Sequence, residues 1–379
     1  MAKNDKKKFR AEFRKHHEPR RRRGDWTRDF LEDSSGPDET VTSERVSGKG
    51  ELTRKRTVIG EPTDGLNSGG LTVDLAVDEQ QCLRGRVLSV HGLTSLVRTE
   101  AGELYRCATR RLLKTLSTDQ RHVVAAGDGV WFRPAPHAEG IIERIEPRHG
   151  VLSRTSRGRR HVIAVNVDQL VIVASVAEPY LKPNLIDRML VTAEKVRIRP
   201  IICINKVDLV EPADLQPLVG VYGQMGYQVL LLSAQTGFGI AALRDLAVGR
   251  ESVMAGQSGV GKSSLLNAIE PGLDLKVRTV SEETEKGRHT TTTATLIPLA
   301  AGGFIVDTPG IRQFQLWDVV PAELAGFYRD IRPYVSLCRF PDCTHTHEAD
   351  CAIKNAVADG QLSVRRYESY CHLLAGEMD

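Results

Sequence analysis

The sequence lacks any apolar run long enough to cross a bilayer, and its charged N-terminus has no apolar segment of the kind found in secretory signals. Both absences argue against a secreted or membrane-bound protein, so we expect a cytoplasmic location and no membrane partner. Cysteine is sparse, at seven in 379 residues, and three of the seven lie between residues 338 and 351. In a cytosolic chain, such a cluster of cysteines indicates a metal site rather than a disulfide.

Residues 1–80 have too little hydrophobicity and too much charge to offset the entropy of ordering, so we expect a basic disordered extension. The first 30 residues carry 12 Lys and Arg against five Asp and Glu, a net charge of +7. Phe9, Phe13 and Trp26 lie among these cations, and this composition suits an RNA backbone with bases that stack on the rings. A tail that only solubilises the protein is the alternative.

Residues 81–154 have a different pattern, with five short alternating strands separated by turn residues. This spacing predicts a small closed β-barrel of the OB type. An SH3-like barrel or a plain β-sandwich fits the same pattern nearly as well. The basic residues that we expect on its surface are Arg106, Arg110, Arg111 and Lys114.

Residues 155–320 alternate apolar strands with helices, which is typical of a doubly wound α/β sheet. The continuous apolar run 169–176 predicts a strand buried on both faces, followed by an amphipathic helix at 185–194 and a strand at 199–204. Ligands of such sheets bind beyond the carboxyl ends of the strands. We therefore expect the loops that follow these strands to meet in one crevice.

A glycine-rich turn lies between a short strand at 252–255 and a helix that follows it, and it fits the pattern Gly, four residues, Gly-Lys-Ser. Backbone N–H groups in such a turn, together with the positive end of the helix dipole, bind phosphate. Lys262 is predicted to reach the terminal phosphates, and the Ser263 hydroxyl is predicted to bind Mg²⁺. The predicted phosphate-binding residues are Gly256, Gln257, Ser258, Gly259, Val260, Gly261, Lys262, Ser263 and Ser264.

The tetrapeptide Asn-Lys-Val-Asp follows the strand at 199–204 and predicts recognition of guanine. The Asp208 carboxylate can accept hydrogen bonds from guanine N1–H and N2–H₂, whereas adenine offers no such pair of donors. Asn205 is expected to stabilise the loop, and the Lys206 stem to lie over the base. After the predicted strand 229–234, the backbone of Ser233 and Ala234 is expected to meet guanine O6. The ligands predicted are therefore GTP and GDP.

A strand at 303–306 leads into Asp-Thr-Pro-Gly, which predicts a second part of the nucleotide site. Asp307 is expected to hold Mg²⁺ through water, and the Gly310 N–H to contact the γ-phosphate. One residue of the preceding threonine run, Thr291 or Thr292, is expected to reach Mg²⁺ in the GTP state. Loops of this kind order around the γ-phosphate and relax after hydrolysis.

The order of these motifs differs from that of most GTPases, in which the phosphate loop precedes Asn-Lys-x-Asp and Ser-Ala. Here Asn-Lys-x-Asp and Ser-Ala come first, which is a circular permutation. The sheet brings the loops together whatever their connectivity, so we expect the same crevice. The permutation places the switch segment directly before the C-terminal part of the chain.

Residues 321–379 contain the spacing Cys-x₄-Cys-x-His-x₅-Cys, which predicts one structural Zn²⁺ site. Four protein ligands leave no position open for water, so this zinc is not expected to be catalytic. His347 could replace the preferred histidine, and helices at 352–358 and 363–374 are expected to pack on the site. The predicted ligands are Cys338, Cys343, His345 and Cys351.

The permuted motif order, the small β-barrel before it and the Cys₃His site after it together resemble the RsgA (YjeQ) family of GTPases that depend on the small ribosomal subunit. The resemblance spans about residues 82–375. It is most specific in two segments, residues 287–292 and 307–312. It implies a late assembly factor whose GTP hydrolysis is stimulated by the small subunit and coupled to release, with rRNA contacts from the barrel and zinc domains. We also expect a monomer. A GTP-gated rRNA-binding scaffold and a GTPase of the large subunit are the alternatives.

Ile311 stands where Ras-like GTPases carry a glutamine that orients the attacking water. An aliphatic side chain cannot orient water by hydrogen bonding, so we expect slow intrinsic turnover. His289 is the candidate for this catalytic role, with the ribosomal subunit ordering its loop. The alternative is that His289 only orders the switch segment.

Overall fold

The computed structural model describes residues 8–12, 55–59, 61–62, 73–74, 78, 80–110, 113, 123–156, 159–273, 294–307 and 319–376. Within these ranges, no helix combines the length and the apolar character needed to cross a membrane. The chain divides into two compact units, residues 1–76 and 77–379.

The first unit contains two short antiparallel strand pairs: β1 (Lys8–Glu12) with β2 (Lys55–Ile59), and β3 (Glu61–Pro62) with β4 (Val73–Asp74). These segments differ from the disorder expected for residues 1–80. The β-branched run at the end of β2 favours an extended backbone. A prediction from the average composition of residues 1–80 does not detect so short a run. The rest of this stretch up to residue 77 lies outside the described residues.

A closed five-stranded barrel begins the second unit. Its strand order is β5-β6-β7-β9-β8, and β8 pairs back with β5 to close it. The third and fifth strands, β7 and β9, run parallel, whereas every other pair is antiparallel. Closure excludes the sandwich, and the strand order with its parallel pair β7–β9 confirms the predicted OB-type barrel rather than an SH3-like one. The strands are β5 (Leu83–His91), β6 (Thr94–Thr99), β7 (Leu104–Thr109), β8 (Gly129–Ala135) and β9 (Glu139–Ile145).

A hairpin of β10 (Leu152–Ser156) and β11 (Arg159–Ala164) connects the barrel to the central sheet. The predicted domain boundary at residue 154 falls inside this hairpin. The domain limits otherwise stay a prediction.

The central sheet has the order β14-β13-β12-β15-β17-β16, with five parallel strands and the antiparallel β16 at one end. β12 is buried along its whole length, as its apolar run predicts. The strands are β12 (Gln169–Ser175), β13 (Arg199–Asn205), β14 (Gln228–Leu231), β15 (Glu251–Ala255), β16 (Thr295–Pro298) and β17 (Phe304–Asp307).

Helices cover both faces of this sheet. Leu170 of β12 packs in the cluster that contains Met189, whereas its neighbour Val171 packs with Leu265. Successive residues of a strand point to opposite faces, so the sheet has a hydrophobic core on each side. This arrangement confirms the doubly wound prediction. The helices are α1 (Pro183–Lys195), α2 (Gln216–Gln224), α3 (Ile240–Ala247) and α4 (Lys262–Ile269).

The C-terminal part is helical and packs on α1. Its core contains Tyr328, Ile353 and Tyr370 together with Val191 of α1. A buried arginine of this part, Arg366, contacts Asp187 of α1. The helices are α5 (Arg332–Val335), α6 (Ala352–Ala358) and α7 (Val364–Ala375), preceded by a 3₁₀ segment at Pro321–Phe327.

Candidate nucleotide and metal sites

The predicted phosphate loop lies between the end of β15 and the start of α4. Its glycines are required by geometry, because Gly256 and Gly261 have φ values of 156° and 94°. A Cβ atom on Gly256 would lie 2.2 Å from the Val173 carbonyl oxygen, and one on Gly261 would lie 2.4 Å from Asn205 Nδ2. No side chain fits at either position without displacing its neighbours.

The Lys262 side chain folds back over this loop. Its Nζ donates hydrogen bonds to the carbonyl oxygens of Gly256 at 2.8 Å and Gln257 at 2.6 Å. The ammonium group therefore lies over the loop that is predicted to hold the phosphates. Val260 is buried, Ser258 is exposed, and Ser263 and Ser264 are half-buried on the first turn of α4.

Asn205 joins two of the predicted loops. Its Nδ2 donates to the Val260 carbonyl oxygen of the phosphate loop at 2.9 Å. Its Oδ1 accepts a hydrogen bond from the Ala234 N–H at 3.2 Å. One buried side chain thus connects the phosphate loop to the Ser-Ala loop, at the end of the strand that carries Asn-Lys-x-Asp.

The backbone turns sharply after Asn205. Lys206 has a left-handed backbone, with φ 64°, and its Nζ donates to the Glu178 carbonyl oxygen at 2.5 Å. Asp208 follows in a short 3₁₀ turn, and its side chain is exposed. An exposed carboxylate can accept hydrogen bonds from a base.

The Ser-Ala loop is closed by its own hydrogen bonds. The buried Ser233 accepts a hydrogen bond from the Thr236 N–H on its Oγ, at 3.1 Å, and its own N–H donates to the Phe238 carbonyl oxygen at 3.0 Å. The sequence pattern extends this strand through residues 229–234. In the structure β14 ends at Leu231, because the next residues turn to form the loop.

Strand register brings these loops to the same edge of the sheet. Ser175 pairs with Asn205, and Ile172 of β12 pairs with Ala255, the residue before the phosphate loop. Asp307 is the last residue of the parallel strand β17 and ends at this same edge. The other switch residues named from the sequence lie outside the described residues: His289, Thr291, Thr292 and Gly310.

Three thiols and one imidazole meet in the C-terminal part, and their ligand atoms all lie within 4.8 Å of one another. His345 Nδ1 is 3.4 Å from Cys338 Sγ and 3.6 Å from Cys351 Sγ, and these two sulfurs are 3.9 Å apart. Around zinc, with Zn–S distances of about 2.3 Å and Zn–N distances of about 2.0 Å, tetrahedral ligand atoms are about 3.5–3.8 Å apart. The cluster of Cys338, Cys343, His345 and Cys351 therefore fits a zinc ion.

The geometry selects His345 over His347 as the fourth member of this cluster. His345 is buried, whereas the His347 side chain is exposed and its Nδ1 lies 3.2 Å from Thr346 Oγ1. Burial lowers the pKa of His345, which favours the neutral imidazole that a metal requires. The pKa of Cys343 is raised to about 12, mainly by burial and further by the adjacent thiols. A divalent cation would reverse that effect by stabilising the thiolate.

Residues that the sequence analysis missed hold this metal loop in place. The Tyr367 hydroxyl donates to the His345 carbonyl oxygen at 2.7 Å, and the Tyr370 hydroxyl to the Thr344 carbonyl oxygen at 3.0 Å. The Glu348 carboxylate accepts hydrogen bonds from the hydroxyl and the backbone N–H of Thr344. These bonds lower the pKa of Glu348, and the bond from the hydroxyl has the largest effect. Only the short spacing of Glu348 from the cysteines could have indicated its role.

Comparison with known proteins agrees with this geometry. A sequence profile of the family described as RsgA GTPase matches residues 145–317. The chain is 41% identical to the small ribosomal subunit biogenesis GTPase RsgA of Sodalis glossinidius over 292 residues, covering 76% of this chain and 83% of that protein. It is 44% identical to the protein of the same name from Gemmatimonas aurantiaca over 282 residues, covering 73% and 92%.

Two solved structures resemble the fold. The crystal structure of YjeQ from Thermotoga maritima is 35% identical with a TM-score of 0.65, covering 78% of this chain and 98% of that one. YloQ, described as a circularly permuted GTPase, is 31% identical with a TM-score of 0.61, covering 79% and 97%. With the permuted motifs on one sheet edge and the Cys₃His cluster C-terminal to them in the sequence, the chain belongs to the RsgA family and is a circularly permuted GTPase.

Proposed function

We propose that this GTPase assists late maturation of the small ribosomal subunit, that the subunit stimulates its GTP hydrolysis, and that hydrolysis is coupled to its release. The names of its relatives support the subunit as partner. The observation that carries the nucleotide part is that the Asn205 amide donates a hydrogen bond to the Val260 carbonyl oxygen and accepts one from the Ala234 N–H. These bonds connect the loops that would bind the base to the loop that would bind the phosphates.

Asp208 is the proposed guanine-reading residue. Its carboxylate would accept hydrogen bonds from N1–H and N2–H₂, and adenine would leave it without these donors. The stem of Lys206 would cover one face of the base. The backbone of Ser233 and Ala234, held next to Asn205, would contact O6.

The proposed phosphate site is the loop 256–261 with the first turn of α4. Lys262 would exchange its two carbonyl contacts in the loop for oxygens of the terminal phosphates. The residues that would hold Mg²⁺ are Ser263 and Asp307, and a bound Mg²⁺ would neutralise charge on the β- and γ-phosphates. Gly310 and either Thr291 or Thr292 would contact the γ-phosphate and the metal in the GTP state.

His289 is the proposed residue for orienting the attacking water, since Ile311 cannot do so. In this proposal the ribosomal subunit orders the segment that carries His289, which makes hydrolysis dependent on the partner. His289→Ala would then abolish the stimulation by the subunit while leaving nucleotide affinity intact. Retained stimulation in this variant would restrict His289 to ordering the switch.

A structural Zn²⁺ is the proposed occupant of the Cys₃His cluster. Its ligand spacing matches the tetrahedral distances of zinc, and all four ligands come from the protein. The ion would tie together the loop on which α6 and α7 pack. No part of the hydrolysis reaction is assigned to it.

The barrel supports the proposed contact with rRNA through its exposed cations. Arg106 and Arg110 are exposed, and the Arg144 guanidinium lies over the Trp131 ring, 5.4 Å from its centroid. Such groups neutralise phosphates and stack on bases. Arg111 and Lys114, also expected on this surface, lie outside the described residues. We further infer a cytoplasmic monomer.

The test is GTP and ATP hydrolysis by the purified protein, alone and with isolated small or large ribosomal subunits. We expect strong stimulation of GTP turnover by the small subunit only, with weaker binding to the subunit after hydrolysis. Tight GTP-dependent binding without stimulation would instead favour a GTP-gated rRNA-binding scaffold. Stimulation by the large subunit alone would reassign the partner.

A further inference from the structure

A bulge in β5 directs one barrel residue into the core of the GTPase domain. Val87 pairs with Val97 of β6, but Ser89 pairs with Leu96, so Leu88 is an extra residue in the register. Bulges change the direction of a side chain relative to its strand. Leu88 is 6% exposed and belongs to the hydrophobic cluster that contains Leu296 of β16 and Val306 of β17.

The same strand joins the barrel to the nucleotide edge of the sheet. Ser89 pairs with Thr295 of β16, and Thr295 pairs on its other side with Asp307 of β17. These three residues form one row across three adjacent strands, which spans about 10 Å at the usual spacing of strands. Because β16 is antiparallel, its first residue lies at the carboxyl edge, where Asp307 ends β17.

A second contact connects β5 to the strand that leads into the phosphate loop. Arg86 Nη2 lies 2.5 Å from Glu251 Oε1, at the start of β15, and Arg86 Nη1 donates to the Gly127 carbonyl oxygen at 2.9 Å. β5 is thus attached to the GTPase sheet at two points. Its position relative to β16 and β17 is fixed by packing and by hydrogen bonds together.

We propose that Leu88 is a positioning residue for GTP hydrolysis. By filling the core beneath β16 and β17, it keeps the row from Ser89 to Asp307 in place and so sets the position of Asp307 at the magnesium site. Leu88 touches no reacting atom and acts only through these strands. The inference rests on the proposed role of Asp307 as a magnesium-binding residue.

The test compares Leu88→Ala with Ile142→Ala in the full chain. Ile142 is fully buried in the barrel, on a strand that does not pair with β16, so it is a matched loss of aliphatic side chain. The readout is the Mg²⁺ concentration for half-maximal single-turnover GTP hydrolysis, with GDP affinity measured without Mg²⁺. We expect Leu88→Ala to raise this concentration roughly threefold or more. GDP affinity without Mg²⁺ and the magnesium requirement of Ile142→Ala should stay unchanged.

Two further variants make the result specific. Leu88→Met preserves the volume of the side chain and should restore the wild-type magnesium requirement. If either alanine variant fails to fold, Leu88→Val and Ile142→Val take their place, each with one methylene removed. They should show the same difference in magnesium requirement, with a smaller magnitude. A purely structural role would lower the melting temperature of both variants without moving the magnesium requirement of either.

Asp307→Asn separates this inference from the function on which it rests. A raised requirement in Asp307→Asn but not in the Leu88 variants would overturn the role of Leu88 alone. An unchanged requirement in Asp307→Asn would overturn the proposed role of Asp307 and this inference with it.

Discussion

The amide of Asn205 and the carbonyl oxygen of Val260 are joined by a 2.9 Å hydrogen bond that connects Asn-Lys-x-Asp to the phosphate loop. The two motifs occur in the reverse of the usual order along the chain, yet the contact is made across the edge of one sheet. Circular permutation changes only the connections between strands. The loops depend on where each strand ends, so the crevice is kept.

Replacement of Asn205 by alanine should weaken the binding of both GTP and GDP. The variant leaves the Val260 carbonyl and the Ala234 N–H without their buried partner, which costs about 1–3 kcal/mol. Nucleotide affinity should therefore fall about 5- to 150-fold, as measured by titration with a fluorescent guanine nucleotide. Leu209→Ala, an exposed position on the same loop, is the control and should bind as the wild type does. Unchanged affinity in Asn205→Ala would show that the loops hold their positions without this link.

Asp208→Asn should change which base the protein binds. The amide oxygen can accept from N1–H, but the amide NH₂ opposes the N2–H₂ of guanine and instead matches the 2-oxo group of xanthine. GTP affinity should fall by about a hundredfold or more, while XTP should become a competitor. Competition with GTP, XTP and ATP measures this, and Asp214→Asn, an exposed acid on the next turn, is the control. A variant that still prefers GTP would contradict the assignment of Asp208.

Much of this site could be predicted from the sequence because its parts are local. Each part consists of residues that are adjacent in the chain: the apolar run of β12, the polar residues directly after β13, and the glycine-rich loop directly after β15. Their meeting follows from the rule that parallel strands end at one edge. Helix α6 has the predicted bounds, since it begins directly after Cys351 and contains an apolar face.

Contacts between distant elements could not be predicted. Ser89 of β5 pairs with Thr295 of β16 directly after a bulge at Leu88, and a single extra residue leaves no signal in composition or periodicity. The buried Arg366 is another example, with Nη1 2.5 Å from Asp187 Oδ1 of α1 and Nε 2.9 Å from Asp330 Oδ2. A charged residue in an amphipathic helix is usually solvent-exposed, so α7 gives no sequence indication of this contact.

The choice between two histidines gives a direct test of the metal site. His345→Ala should lose the bound metal, because it removes one of the four ligands, whereas His347→Ala should keep it. Metal content of the purified variants, measured by mass spectrometry, distinguishes the two. His345→Ala should also melt at a lower temperature, since a structural zinc contributes to folding stability. Loss of metal in His347→Ala with retention in His345→Ala would reverse the assignment.

Glu251, at the junction of barrel and sheet, should make stability depend on pH. Burial is the main cause that raises the pKa of this carboxyl to about 8. The positive charge of Arg86 lowers the pKa, but by a smaller amount. Asp168 and Asp128 also face this position and raise its pKa further. The folded protein therefore binds this proton more tightly than the unfolded chain, whose carboxyl titrates near its ordinary value of 4.5.

It follows that the free energy of unfolding has a negative slope contributed by Glu251 between pH 4.5 and about 8. Glu251→Gln removes the titration, so its melting temperature should fall less between pH 5.5 and pH 7.5 than that of the wild type. Each kcal/mol of difference corresponds to roughly 1–2 °C for a unit the size of residues 77–379. Glu211→Gln, an exposed carboxyl, is the control and should follow the wild type. Equal pH dependence in wild type and Glu251→Gln would mean that Arg86 keeps the carboxylate charged, and the barrel would then be held to the sheet by a true ion pair.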